Sequence, residues 1–348
     1  MTNCFYKEWI LHMSTSLTSR EIGVAVLGLG TIGGAVARAI VDDSAAIERT
    51  SGLQLRLIGG TVCNIDAAVE RTGLDRRLIS TDGAALVDNP AVQVVIEVMG
   101  GEQPAAELMA RALASGKHVV TANKEAVSKH MPAILAAAHN GDAGFLCEAS
   151  VGGGIPLIAA LRQILATNRV ESVRGIVNGT TNFILSKMDA EGADYAPTLA
   201  EAQALGYAEP DPTADVEGYD ASYKLAILAS LMLGRHVRPE EIDRTGITGV
   251  SAADIQDAQS RNGTIRLIAS AVRDGDSAIL RVAPTFIPND DMFSRVVRNY
   301  NAIEIVGDRV GPVLLHGQGA GPAPTASAIL SDVVEVVRGG SRVTPRVI

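Results

Sequence analysis

Aromatic side chains are scarce in this chain, 3% of 348 residues, so its core has to be assembled from Ala, Val, Leu and Ile. Cysteine is scarcer still. Cys4, Cys63 and Cys147 stand far apart, and any disulfide would leave one thiol over. That usage fits a reducing cytoplasm, and no Cys-x-x-Cys or Cys/His cluster offers a zinc site. Positive charge is also short. A formal net charge of −9 argues against a general nucleic-acid binder, whose affinity would rest on clustered Lys and Arg. No clean membrane span is present: Ile22–Val41 is apolar enough to imitate one, but it carries five glycines and Arg38. Residues 1–19 lack the basic start and long apolar run of a secretory signal. Residues 1–20 read as a disordered leader, with Met13 as an alternative start.

What is present suits a globular enzyme: 47% apolar and 20% charged residues, in a chain long enough for two cores. Short apolar segments at Ile22–Leu27, Leu53–Gly60, Val94–Val98, His118–Thr121 and Phe145–Glu148 read as strands. Helical patterns separate most of them, notably Pro104–Ser115 and Glu125–His139. That alternation predicts a Rossmann-type α/β domain with a parallel sheet over residues 21–154. Beyond it, helices through Leu233 give way to strand-like segments at Ile265–Val272, Ala278–Thr285 and Ala302–Val306. The expectation for 155–315 is an α+β domain with a mixed, largely antiparallel sheet. Residues 316–348 are expected to return as a helix to the first domain.

Gly28-Leu29-Gly30-Thr31-Ile32-Gly33 follows the first strand and opens a helix. Gly28 permits a tight turn, Gly30 lets the backbone approach a pyrophosphate, and Gly33 allows close helix–strand packing. With Thr31 and Ile32, the helix start offers free N–H groups to phosphates. After the second strand, Cys63-Asn64 supplies neither the acid that favours NAD nor the arginine that favours NADP, so the preference stays open.

The richest segment runs from Gly206 through Tyr207, Glu209, Pro210, Asp211, Pro212 and Asp215 to Asp220 and Lys224. Two prolines stiffen the loop, and Asp215 reads as an N-cap for the next helix. Asp220 and Lys224 share a helix face that continues through Ile227, Leu228 and Leu231. On an ordinary surface that would be a minor i,i+4 pair. A face running into a core instead points to a lysine held for use, as a proton donor to a carbonyl oxygen or a base toward a hydroxyl. Lys124, after the fourth strand, is a second candidate, because ligands on open parallel sheets sit at the carboxyl ends of strands. Asn178–Phe183 starts another helix and could hold a carboxylate or serve only as a cap.

Asn178–Phe183, Gly206–Pro212 with Asp220 and Lys224-Leu225-Ala226, and Gly317–Gly321 followed by Pro324–Ser327 together resemble homoserine dehydrogenases, over about residues 20 to 340. The resemblance implies NAD- or NADP-dependent interconversion of L-aspartate 4-semialdehyde and L-homoserine. It makes Lys224 the proton donor, with Lys124 as rival near the substrate oxygen and nicotinamide. Glu209 and Asp220 would hold homoserine, and Gly179, Thr180 and Tyr207 would line its pocket. Gly206, Glu209, Lys124 and Gly321 would lie by the cofactor. The resemblance further implies a monovalent cation, sodium, at Glu148, Val151, Gly153 and Ile155. Those residues alone read as a glycine hinge. A homodimer through the second sheet is implied too. The chain departs from bacterial members that add a C-terminal regulatory domain of the ACT type, and it reads as a monofunctional short form. Two other readings remain at this point: a semialdehyde dehydrogenase using Cys147 as a thioester nucleophile, and a nucleotide-sensing Rossmann protein without catalysis.

Overall fold

The computed structural model describes residues 20–339. The leader read over residues 1–20 therefore lies outside the described residues, except that Arg20 already opens the first strand.

In the first half, β1 (Arg20–Leu27) leads to α1 (Thr31–Asp42) and α2 (Ser44–Ser51). Next come β2 (Leu53–Thr61), α3 (Ile65–Thr72), β3 (Ile79–Ser80) and α4 (Gly83–Asp88). Then follow β4 (Val94–Glu97), α5 (Ala105–Ala114), β5 (His118–Thr121), α6 (Lys124–Asn140) and β6 (Phe145–Leu146). These six strands form one sheet in the order β3-β2-β1-β4-β5-β6, every pairing parallel. Strand order reverses between β1 and β4, which opens a crevice at their carboxyl ends. The strands are apolar because helices cover both faces: Val94, Val95 and Ile96 are wholly buried. In α1, Gly33, Val36, Ala37 and Ile40 recur at helical spacing and form its buried face.

The second half opens with α7 (Leu157–Leu165), β7 (Val170–Ile176), α8 (Gly179–Glu191) and α9 (Tyr195–Ala204). It continues with α10 (Thr213–Val216), α11 (Tyr219–Leu233), β8 (Asp243–Arg244) and α12 (Ala252–Ser260). Then come β9 (Gly263–Asp274), β10 (Ser277–Pro288), β11 (Tyr300–Gly307), β12 (Gly311–Gln318) and α13 (Pro322–Arg338). Their sheet has the order β12-β11-β7-β9-β10-β8, antiparallel except where β8 joins β10. The expected pair of architectures, parallel Rossmann sheet and mixed, largely antiparallel sheet, is what the chain adopts. Helix α11 packs on α6, β9 and β10. Helix α13 lies on α1 and adds Ile329 and Val333 to the core that holds Ile22, Val24 and Val36.

Local readings needed correction. Strand β6 ends at Leu146; Cys147 is the N-cap of the 3-10 turn Glu148–Ser150 that follows. Asp215 lies inside α10, and the N-cap of α11 is Gly218 at φ 79°. Two helices meeting end to end need a left-handed turn there, which glycine adopts without strain. Strand β12 escaped the sequence reading because it is a half-exposed edge strand containing Pro312 and three glycines' worth of ambiguity at Gly311, Gly317 and Gly319 around its ends.

Candidate active site

The crevice at the carboxyl ends of the parallel sheet faces the start of the second half, and a cavity of about 500 Å³ lies between them. On its Rossmann side, Gly28 takes φ 99°, and a Cβ there would come 2.8 Å from the Met99 backbone. A Cβ on Gly33 would sit 1.9 Å from the Gly28 carbonyl oxygen, so only glycine lets α1 approach the loop. Gly30 differs: a Cβ there would meet nothing within 4 Å. Gly30 is also the N-cap of α1, with no side chain capping the helix, so the amides of Thr31, Ile32 and Gly33 face an open approach.

Across the cavity, one carboxylate holds two lysines. Asp220 Oδ2 accepts from Lys224 Nζ at 2.7 Å, and its Oδ1 lies 3.0 Å from Lys124 Nζ. The first contact is dictated by α11 itself, since residues four apart stand on one face. The second joins the two halves of the molecule. Lys224 is 9% exposed and also donates to the Val177 carbonyl at 2.7 Å. An ammonium has three N–H bonds, so one remains to meet a ligand. Burial alone would raise the Asp220 carboxyl, but the charges of Lys224 and Lys124 outweigh it and hold the group below the usual carboxylate range. The Asp220 charge in turn raises Lys124, against the opposing effect of desolvation.

Asn178 organises the floor. Its Oδ1 accepts from Thr181 N at 2.8 Å and caps α8, while its Nδ2 donates to Asp215 Oδ1 at 2.7 Å and Asp220 Oδ2 at 2.8 Å. Burial, helped by the Asp220 charge, pushes the Asp215 carboxyl up. Thr180 Oγ1 donates to the Tyr207 carbonyl at 2.7 Å, and the Tyr207 ring lies 4.7 Å from that of Phe183. Gly206, at φ 75°, turns that loop back onto α8.

The cavity thus brings together Ile32, Lys124, Gly153, Gly179, Thr180, Gly206, Tyr207, Asp220, Lys224 and Gly321 from the sequence-derived set. Glu209 is not among its lining residues and its side chain is exposed. Asn178, Asp215 and Asn299 line the cavity without having been singled out as binding residues. The signal for Asn178 is its place at the start of α8, where the sequence leaves a carboxylate site and a cap equally open. For Asp215 it is an acid in the Pro-rich loop, which reads there as a cap.

Glu148 is buried, and both its carboxylate oxygens accept backbone N–H groups of α7, from Ile158 at 2.7 Å and Ala159 at 2.8 Å. Its first role is therefore to satisfy a helix N-terminus that Pro156 leaves without a side-chain cap. Burial raises its pKa in spite of those bonds. A carboxylate retains lone pairs beyond the two used, and the adjoining turn through Val151, Gly153 and Ile155 is rich in carbonyls. An oxygen-only set of this kind fits a hard monovalent cation. Among the described residues, no three His, Cys, Asp or Glu side chains cluster to hold a metal. Cys147 lines a separate apolar cavity of about 30 Å³, and burial, with Asp332 and Glu148 adding to it, drives its thiol upward. That is the reverse of what a thioester nucleophile needs.

Residues 28–148 match the family model described as homoserine dehydrogenase, NAD binding domain, and residues 156–334 match the homoserine dehydrogenase model. The chain belongs to the homoserine dehydrogenase family. A homoserine dehydrogenase of Synechocystis sp. is 42% identical over 320 residues, 91% of this chain and 73% of that protein. The crystal structure of a homoserine dehydrogenase from Thiobacillus denitrificans superposes with a TM-score of 0.88 at 42% identity, covering 94% of this chain and 75% of the other. A hyperthermophilic archaeal homoserine dehydrogenase in complex with NADPH reaches a TM-score of 0.79 at 28% identity, covering 92% and 99%. The chain is an NAD(P)-dependent oxidoreductase acting on a CH–OH group. Among the described residues no helix is long and apolar enough to cross a membrane.

Proposed function

We propose that L-aspartate 4-semialdehyde and L-homoserine interconvert in the cavity between the two halves, with Lys224 handling the oxygen's proton. The observation that carries this reading is the Lys124–Asp220–Lys224 array, which sets a buried ammonium with one uncommitted N–H beside the crevice of the dinucleotide fold. The nicotinamide, when bound, supplies or accepts the hydride. Residues 21–154 hold the cofactor, with Gly28, Gly30, Thr31, Ile32 and Gly33 at its phosphates and Lys124, Gly206 and Gly321 toward the nicotinamide. Residues 155–315 hold the substrate. Of the segment read as 316–348 it is helix α13, Pro322–Arg338, that closes back on the nucleotide half, residues 316–318 ending β12 and 340–348 lying outside the described residues. Gly179, Thr180 and Tyr207 shape the pocket.

Asp220 has both oxygens committed to lysines, so its work is to keep those cations in place. Asp215 faces the cavity beside Asn178 and Thr180, and its remaining lone pairs suit the substrate's ammonium. Glu209 reaches the ligand only if its loop moves toward α8. Lys224 then donates to the aldehyde oxygen as the hydride arrives, and takes the proton back in the reverse direction. Alignment of the two reactants across the junction is the fold's main contribution.

The deciding experiment follows nicotinamide absorbance with L-homoserine, with NAD and NADP tested separately, in wild type, Lys224→Ala and Lys124→Ala. Lys224→Ala should retain cofactor binding and lose turnover by about 10²–10⁴-fold. Cofactor-bound Lys224→Ala turning over at the wild-type rate would refute its role. Chemistry lost only in Lys124→Ala would transfer the proton to Lys124.

Glu148 with the carbonyls of Val151, Gly153 and Ile155 would hold a sodium ion, whose positive charge would steady the turn at the junction. The melting temperature should then be higher in sodium than in N-methylglucamine chloride of equal ionic strength. The difference should vanish in Glu148→Gln, and equal melting of wild type in both salts would remove the cation from this reading. Free thiols at Cys63 and Cys147 suit a reducing, cytoplasmic setting.

A further inference from the structure

Glu97 closes β4 and has no exposed surface, although the three residues before it in the strand are apolar and equally buried. A carboxylate in that position costs free energy that an apolar side chain would not, unless its bonds are used. Its Oε1 accepts the Met99 N–H at 2.8 Å and Asn123 Nδ2 at 3.3 Å, and its Oε2 accepts the Thr121 hydroxyl at 2.7 Å. All three donors are neutral. Thr121 Oγ1 accepts in turn from Asn123 N at 2.9 Å. Asn123 caps α6 through Ala126 N at 3.1 Å and donates to the Gly101 carbonyl at 2.8 Å. The first residue of α6 is Lys124.

One buried side chain therefore ties together the ends of two adjacent parallel strands and the loops that leave them. Those loops, through Val98 and Gly100 on one side and Ala122, Asn123 and Lys124 on the other, form facing walls of a second cavity of about 150 Å³. It shares Ile32, Ala122 and Lys124 with the main cavity, so it continues the cofactor's path from the glycine loop. Gly28 packs against Met99, which places the same network behind the glycine turn.

We infer that Glu97 is a positioning residue, which fixes the start of α6 so that Lys124 reaches Asp220 across the junction and meets the nicotinamide end of the cofactor. The inference rests on the reading that Lys124 works at this site. Glu97→Gln nearly preserves shape but replaces one acceptor oxygen by an N–H₂. Toward Met99 N and Asn123 Nδ2 it breaks both bonds, and toward Thr121 it makes that hydroxyl, which already accepts from Asn123 N, give up its donation.

The test measures kcat, KM, cofactor affinity and the pH dependence of kcat for Glu97→Gln, Lys124→Ala and the double variant. Glu97→Gln should lower kcat by about ten- to a hundredfold, as expected when a group that aligns the reactants is displaced by about an ångström. The alkaline step that belongs to Lys124 should move to lower pH, since Lys124 would lie less close to Asp220 while Asp215 and Glu125 remain its other acidic neighbours. In the Lys124→Ala background the same substitution should change kcat little, because the group it positions is gone. Equal loss in both backgrounds, or wild-type kcat in Glu97→Gln, would overturn the inference. Wild-type turnover in Lys124→Ala alone would overturn it together with the reading beneath it. If Glu97→Gln does not fold, Thr121→Val removes one donor with little change of shape, and the same pattern is required of it.

Discussion

Asp220 is the residue on which the site's electrostatics turn, because its two oxygens are shared between a buried lysine and a partly exposed one. Replacing it with Asn would leave Lys224 buried without its counter-charge, a change that typically costs about 3–5 kcal/mol. Turnover should fall with it. The sign of the pH effect follows from the held-down carboxyl. Its contribution is complete above the ordinary carboxylate pKa of about 3.9 and is lost as pH falls below that value. Urea melts of wild type and Asp220→Asn should therefore differ most near neutral pH and converge below about pH 4. A gap unchanged down to pH 3 would contradict the ion-pair account. The Asp220–Lys224 contact was legible in the sequence, since i,i+4 spacing on a helix is local geometry. The Asp220–Lys124 contact was not, because nothing local relates α6 to α11.

At the scale of single elements, the strand–glycine–helix unit makes separable claims about folding and binding. Gly33→Ala would drive a methyl into the Gly28 carbonyl, so it should cost roughly 1–3 kcal/mol of stability as well as cofactor affinity. Gly30→Ala meets no protein atom within 4 Å, so its melting temperature should stay near wild type while cofactor affinity falls. Thermal melts combined with fluorescence titration of the reduced cofactor separate the two. A Gly30→Ala protein that binds as tightly as wild type would mean the pyrophosphate does not approach there. Strands β1, β4 and β5 were readable because burial on both faces makes them nearly continuous apolar runs, and β2 because Leu53, Leu55 and Leu57 alternate with exposed Gln54 and Arg56 before a buried end. Strands β3 and β8, two residues each, and the edge strand β12 were not, because their pairing comes from neighbours and leaves little apolar pattern.

Over the whole molecule, two large apolar side chains stand exposed on the second sheet. Ile279 and Val272 stand opposite each other on β10 and β9, and they are 63% and 46% exposed. We propose a homodimer through this sheet. Light scattering should give twice the chain mass for wild type and a lower mass for Ile279→Lys. A monomer at micromolar concentration in wild type would end the proposal.

By itself the sequence determined the kind of fold, the glycine loop and the placement of Asp220 and Lys224 on one helix face, because each follows from periodicities and sterics that act within a few residues. It also carried the ordered motifs that resemble the family. Tertiary structure alone decided that Lys124 completes the array, that Asn178 bridges two carboxylates, that Glu148 first serves the start of α7, and that Glu209 stands outside the cavity. These arrangements depend on which apolar faces are buried against each other. That choice brings distant polar groups within hydrogen-bond reach, or keeps them apart, in ways no local pattern records.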